Sequence, residues 1–327
     1  MMDVSIVIPT KNAGDLIGQV LEAIEKQKTN LQYEIICVDS GSEDNTLEII
    51  KKHRSVKLFK ILPEEFGHGK TRNYGASQGT GEFIVFITQD ALPASNSWLE
   101  NLVSVVRKDP LCAGAFGIHY PYTNCNIFDE RDIKAHFEGF GKNNTYYWIT
   151  DCKRYREDEG YRHLLCFYSD NNSCMRRSIW EKYPYDNVDF AEDQFWARKV
   201  IELGYHKAYA ADAPVYHSHN YKLHTYFGRY YDEYKGLYEL HQYCMHRNFL
   251  LVPGAILLHI ILDFKYIKQY KAILLLREKL YWCLYSIGRN ISRYIGGWFG
   301  GHYHLYSTRK QIWLDQHFSQ QYKQKNR

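Results

Sequence analysis

Apolar and polar positions alternate along the chain in blocks. Val4 to Pro9 is a short apolar run of the kind that fills a buried parallel strand. Asn12-Ala13-Gly14 turns the chain, and Leu16, Ile17, Val20, Leu21 and Ile24 then recur at helical spacing over Leu16 to Glu25. Tyr33 to Val38 predicts a second strand, Asn45 to Lys52 a helix capped by Ser42 or Asp44, and Val56 to Leu62 a third strand. Glu82 to Thr88 is a fourth, Trp98 to Lys108 a helix, and Cys112 to Tyr120 a fifth strand. This βαβ alternation predicts an α/β fold, a Rossmann-like, mostly parallel sheet flanked by helices, with ligands outside the carboxyl ends of the strands.

From Asn124 to Tyr161 the text turns polar and predicts a long irregular excursion over the active face. Regular structure resumes at Ser178 to Lys182, at Glu192 to Leu203 and at a last strand, Ala208 to Tyr216. Beyond Leu223 the period is helical, with Tyr226, Tyr230, Tyr231, Tyr234 and Tyr238 on one stripe. Two domains are expected, residues 1–222 around the sheet and residues 223–327 as a helical extension. Phe249 to Leu262 is strongly apolar but shorter than the roughly 20 residues a spanning helix needs, so an interfacial or re-entrant segment is expected. Ile273 to Phe299 reads as a basic, aromatic amphipathic helix.

Charge sharpens this division. The chain has a formal net charge of +4, yet 13 basic and three acidic residues lie from Arg247 onward. An anionic surface is the expected partner of that region. Nucleic acid is not, because no binding motif or basic groove accompanies the charge. The 29 tyrosines, 16 phenylalanines and seven tryptophans suit sugar faces and membrane interfaces. Eight scattered cysteines without a CxxC pair predict a reduced, cytoplasmic protein, and the strand that starts at Val4 leaves no room for a signal peptide.

Candidate chemistry sits at the predicted strand ends. Phe66 to Ala76 packs Gly67, Gly69, Gly75, Lys70, Arg72 and His68 into one stretch, expected to be a loop closing on a phosphorylated ligand before a helix through Ala76. Asp39 ends a strand, where a carboxylate accepts from a ribose hydroxyl or a base N–H; a helix-capping aspartate accounts for it equally well. Asp90, after Thr88-Gln89, is placed to hold Mg²⁺ or Mn²⁺. Glu192-Asp193 opens a helix and offers a general base, although carboxylates favour helix starts for dipole reasons alone. His217 and His219 flank Ser218 and point the same way from a strand end, as metal ligands or as structural histidines.

In order, Ser5 to Asn12, Val38 to Thr46, Gly67 to Ala76, Thr88-Gln89-Asp90, Glu192-Asp193 and His217 resemble the family 2 glycosyltransferases of GT-A fold over roughly residues 3 to 225. His-Gly-Lys-Thr-Arg-Asn-Tyr-Gly-Ala and Thr-Gln-Asp-Ala are most similar to the rhamnosyltransferase branch, which uses dTDP-rhamnose. The resemblance implies an inverting transfer of a sugar to a hydroxyl of a lipid-linked or cell-surface polysaccharide precursor, at the inner face of the cell membrane. It implies Pro9, Thr10 and Asn12 along the nucleotide pocket, Asp39 on the base, and Gly69, Lys70, Arg72, Asn73 and Gln89 around the diphosphate and sugar. Asp90 is then the surviving DxD aspartate, His217 the late metal ligand with His219 in reserve, and Asp193, beside Glu192, the base. Thr88 replaces the first DxD aspartate. Either the metal is held more loosely, or Lys70 and Arg72 carry part of the leaving-group charge. A UDP-sugar donor, or a non-catalytic sugar-nucleotide-binding protein with a degenerate site, are the alternatives.

Overall fold

A computed structural model describes residues 2–188, 190–270 and 275–325. The chain divides into two compact units, one of Met1–Val188 with Glu192–His219, the other of Asp189–Ala191 with Asn220–Arg327.

The first unit is built on a nine-stranded sheet: β1 Val4–Thr10, β2 Tyr33–Asp39, β3 Val56–Lys60, β4 Phe83–Ile87, β5 Leu92–Pro93, β6 Cys112–Tyr120, β7 Thr145–Tyr147, β8 Asn172–Arg176 and β9 His206–Tyr216. The spatial order is β3-β2-β1-β4-β8-β6-β9-β5, with β7 also paired to β9. The half from β3 to β4 is parallel, as the apolar runs predict. Beyond β4 the sheet is mixed. β8 runs antiparallel between β4 and β6, while β6 and β9 are parallel. This inserted β8 is absent from the hydrophobic pattern, because Asn172 and Ser173 are fully buried polar residues within it.

Helices α1 Leu16–Glu25, α2 Thr46–Lys52, α3 His68–Ser77, α4 Trp98–Lys108, α5 Ile127–Glu138, α6 Cys152–Glu157, α7 Glu159–Cys166, α8 Arg177–Trp180 and α9 Glu192–Glu202 accompany the sheet. Two apolar clusters form the core. One joins Ile6, Ile8, Val20, Phe83, Val85, Trp98 and Leu102, and the other joins Val7, Phe86, Phe116, Tyr168, Trp196 and Tyr209. The excursion expected between Asn124 and Tyr161 is largely regular, holding α5, β7, α6 and the start of α7. Its helices are started by side-chain caps: Asn126 accepts from Phe128 and Asp129 N–H, Asp151 from Arg154 N–H and Asp158 from Tyr161 N–H.

The second unit is helical, with α10 Leu223–His241, α11 Val252–Tyr270, α12 Leu276–Gly301, α13 Thr308–Phe318 and α14 Gln320–Lys325. Helix α11 is longer than its apolar core suggests. With the turn before it, Phe249–Gln269 is a 21-residue stretch holding an 18-residue window of mean hydropathy 1.8, long and apolar enough to cross a membrane by length and composition. Residues 273 and 274, placed in the amphipathic helix by the sequence, lie outside the described residues. Glycines let α12 approach α10: a Cβ at Gly296 would meet the Phe227 carbonyl oxygen at 2.6 Å.

Candidate active site

Strand direction gathers the candidate residues on one edge. β1, β2 and β4 are parallel, so Thr10, Asp39 and the Thr88-Gln89-Asp90 turn leave the same side. β8 is antiparallel to β4, with Asn172 opposite Ile87, so Asp170 enters on that side too. β6 and β9 both end there, Tyr120 beside Tyr216, which delivers His217.

The glycine-rich stretch is a helix, not a loop. His68–Ser77 forms α3, and its glycines serve close packing. A Cβ at Gly75 would meet Val7 Cγ1, and one at Gly69 would lie 3.0 Å from the Asp186 carbonyl and from Tyr185 Cβ. Asn73 is consumed by structure: its Nδ2 donates to the Tyr185 carbonyl (2.9 Å), and its Oδ1 accepts from Trp180 Nε1 (2.9 Å) and Tyr185 N–H (3.1 Å). Arg72 is buried, not turned to an incoming diphosphate. Its Nη1 donates to Glu192 Oε1 at 2.5 Å and its Nε lies 3.4 Å from Asp170 Oδ2. Burial opposes its charge, but Asp170 and Glu192 outweigh that and raise its pKa. Lys70 is exposed and remains available to a phosphate.

Around Arg72 three carboxylates converge. Asp170 accepts from Ser173 Oγ (2.7 Å), and its backbone N–H donates to Asp193 Oδ2 (3.2 Å). Asp193 Oδ1 accepts from Gln194 N–H at 2.8 Å. Glu192 and Asp193 open α9 just after Ala191, whose φ of 59° is a left-handed conformation that turns the helix start. Burial, with Glu192 and Asp170 close by, pushes the Asp193 carboxyl well above the usual aspartate range. Burial also raises Asp170, with the nearby Arg72 opposing. A carboxylate of raised proton affinity beside two further buried carboxylates is the result. Asp170 was absent from the sequence reading, since Ser169-Asp170-Asn171-Asn172 has no motif spacing.

The strand-end pocket is also partly self-occupied. Asp39 accepts from Gly41 N–H, Ser42 N–H, Thr10 Oγ1 and Ser42 Oγ, so its acceptor positions are filled by its own turn and by the end of β1. Asp39 closes its own turn and caps no helix, since α2 begins at Thr46 after Asn45, and a base N–H would have to displace one of these donors. Gln89 likewise exchanges two hydrogen bonds with the Lys11 backbone. Asn12, at φ 48°, accepts from Glu43 N–H at 2.8 Å. These contacts tie three βα turns into one wall, with Pro9 half-buried and Thr10 buried behind it.

Asp90, His217 and His219 meet. His217 Nε2 lies 3.6 Å from Asp90 Oδ1 and His219 Nε2 lies 3.6 Å from Asp90 Oδ2, and the three ligand atoms fall within 4.8 Å of one another. Tyr122 fixes the turn by donating to the Asp90 carbonyl (3.0 Å) and drawing Ser218 Oγ to its own N–H (3.0 Å). One carboxylate and two imidazoles suit Mn²⁺ better than the all-oxygen sets that Mg²⁺ prefers. The Thr88 hydroxyl is buried nearby in sequence and hydrogen-bonds nothing among the described residues.

The model of glycosyl transferase family 2 matches residues 5–183. The chain belongs to that family. It is a glycosyltransferase of GT-A fold, similar to the rhamnosyltransferase members. O-antigen chain rhamnosyltransferase RfbN of Salmonella typhimurium is 31% identical over 306 residues, 92% of this chain and 90% of that protein. O-antigen chain rhamnosyltransferase WbaN of Salmonella anatum is 29% identical over 308 residues, covering 93% and 90%. Among solved structures, a mannosyltransferase from Pyrobaculum calidifontis in complex with GDP-Man and Mn²⁺ superposes with a TM-score of 0.57 at 17% identity, over 95% of this chain and 87% of that one. Staphylococcus aureus TarS 1-349 with UDP-GlcNAc gives 0.54 at 15% identity, over 91% of each. Both likenesses concern the fold alone.

Proposed function

We propose that this glycosyltransferase moves rhamnose from dTDP-rhamnose, with inversion, to a hydroxyl of a lipid-linked polysaccharide precursor at the cytoplasmic face of the membrane. The observation that carries the mechanism is the setting of Asp193. Its carboxylate is held by the Asp170 and Gln194 N–H groups at the edge where the strands end, and its proton affinity is raised. The acceptor oxygen loses its proton to Asp193 and bonds to the anomeric carbon. The bond from that carbon to the diphosphate oxygen breaks, and its electron pair leaves with dTDP. Attack opposite the leaving group inverts the centre. Arg72 and Glu192 act by holding the helix start, and Lys70 faces the departing charge. Asp90, His217 and His219 are the residues that would hold Mn²⁺ or Mg²⁺, and the ion would supply charge neutralisation to the leaving diphosphate. The sugar and the acceptor class rest on the likeness to the two O-antigen chain rhamnosyltransferases.

A donor screen by thermal shift tests this. dTDP-rhamnose should raise Tm more than UDP-sugars, with and without Mn²⁺. A clear preference for UDP-sugars sinks the rhamnose assignment and leaves the glycosyltransferase standing. Donor hydrolysis that is equal in wild type and Asp193→Asn would instead support the non-catalytic reading.

A further inference from the structure

Helices α11 and α12 run antiparallel against each other. The His259 ring lies 5.4 Å from that of Tyr294, and one turn further Asp263 Oδ2 accepts from Ser286 Oγ (2.7 Å) and Asn290 Nδ2 (2.8 Å). Asp263, Ser286 and Asn290 are each at most 2% exposed. A pair held by buried polar contacts keeps its grip where no water drives apolar surfaces together.

Their other sides are bare. On α11, Leu257, Leu258, Ile261 and Leu262 are 43–59% exposed; on α12, Leu276, Leu280, Leu284, Ile287 and Ile291 form a single stripe, 37–83% exposed. At helical spacing these five lie within one quarter of the α12 circumference over about 24 Å of helix. Patches of this size on a lone protein mark a binding surface. Among the described residues, Lys265, Lys268, Arg277 and Lys279 neighbour them in sequence against Glu278, whose carboxylate is turned back onto the Leu275 N–H. A second copy of the chain would bring like charges together. Lipid phosphates match them.

We infer that α11 and the first half of α12 form a monotopic wedge, lying in one leaflet with the leucine and isoleucine faces among acyl chains and Lys265, Lys268, Arg277 and Lys279 at the phosphates of anionic lipid. A spanning arrangement of α11 is disfavoured by Asp263, which ties its middle to α12, while α12 is itself packed on α10 through Gly296 and Gly300. This names the element and the mode of the membrane contact in the proposed function, and needs neither the donor nor the acceptor to be correct.

The test is flotation of the full chain with vesicles of phosphatidylcholine alone or with 30 mol% phosphatidylglycerol. The chain should float with the anionic vesicles and stay bound when salt is raised after binding, because the apolar faces then hold it. Leu258→Glu with Ile261→Glu should cut the bound fraction at least tenfold, with Tm and donor hydrolysis in detergent unchanged. Lys265→Glu with Lys268→Glu should abolish the preference for anionic lipid. Three outcomes overturn the inference: no flotation with either vesicle, flotation indifferent to the Leu258/Ile261 pair, or a stable dimer in solution that those two substitutions dissociate. Protection of an engineered tag inserted after Tyr270 from added protease, with the N-terminus still accessible after reconstitution, would replace the wedge by a span. Loss of donor hydrolysis without loss of flotation would instead count against the proposed function.

Discussion

At Asp193 activity and stability pull in opposite directions. Its carboxyl holds its proton well above the usual aspartate value of 3.8. The folded state therefore binds that proton at pH values where the unfolded chain has released it, and stability falls as pH rises through this window. Asp193→Asn removes the ionisation. We expect transfer to drop by about 10²–10⁴-fold, while Tm at neutral pH rises by about 2 °C or more; the gain should vanish at pH values below the unfolded value. Paired activity assays and melts at several pH values check this, and an unchanged or lowered neutral Tm would contradict it. The same carboxylate must be ionised to take a proton, so the acidic limb of kcat/KM should lie well above pH 4. Arg72 behaves oppositely. Arg72→Ala leaves Asp170 and Glu192 buried without their cation and should cost about 3–5 kcal/mol in urea unfolding.

Element by element, legibility followed the use of hydrophobic pattern. β1, β2 and β4 were readable because parallel strands buried on both faces are written as apolar runs such as Phe83 to Ile87, and the edge strand β3 by Val56 and Leu58 alternating with Lys57. β8 was not, because Asn172 and Ser173 are buried through tertiary partners: Trp98 Nε1 donates to Asn172 Oδ1, and Asn172 Nδ2 to the Ala213 carbonyl. Helix α5 was hidden by weak amphipathicity and α6 and α7 by their shortness, six and eight residues, though Asn126, Asp151 and Asp158 stood there as caps. The glycine stretch misled for a specific reason. Gly69 and Gly75 suggest a loop whose backbone approaches a phosphorylated ligand, whereas in the helix they clear room for neighbours. Gly75→Ala should accordingly cost ~1–3 kcal/mol by overpacking against Val7, read from urea midpoints. At the candidate site, Asp90, His217 and His219 lie together, while Asp193 groups separately with Asp170, Glu192 and Arg72. Asn73, Gln89 and Asp39 were given to a ligand, yet their polar atoms are spent on Tyr185, Lys11 and Ser42. Side-chain hydrogen-bond partners distant in sequence are invisible to a linear reading. At this scale the metal prediction also belongs: Asp90→Ala and His217→Ala should each weaken Mn²⁺ binding in calorimetry, and His219→Ala should do so comparably if both imidazoles are ligands.

For the whole molecule, no disulfide joins any of the eight cysteines, and Cys37, Cys112, Cys166 and Cys174 are buried. Burial pushes the Cys112 thiol up to about 12. Iodoacetamide on the native chain should therefore label Cys152, the exposed one, well before those four, which should react only after denaturation; mass spectrometry of timed digests reads the order. The largest asymmetry of the molecule is chemical: a carboxylate-lined sheet edge in one unit, and most of the exposed large apolar side chains in the other. Helix α3 has a further meaning at this scale. Through Gly75 it rests on β1, which ends at Thr10, and through Arg72 and Asn73 it grips Glu192, Asp170 and the 180–185 segment. One ten-residue rod thus bears on both the strand that ends at Thr10 and the buried Glu192 and Asp170 carboxylates. Natural variation cannot tune one without moving the other, so changes of sugar or acceptor preference in descendants of this sequence should accumulate in loops around α3 and spare the rod itself.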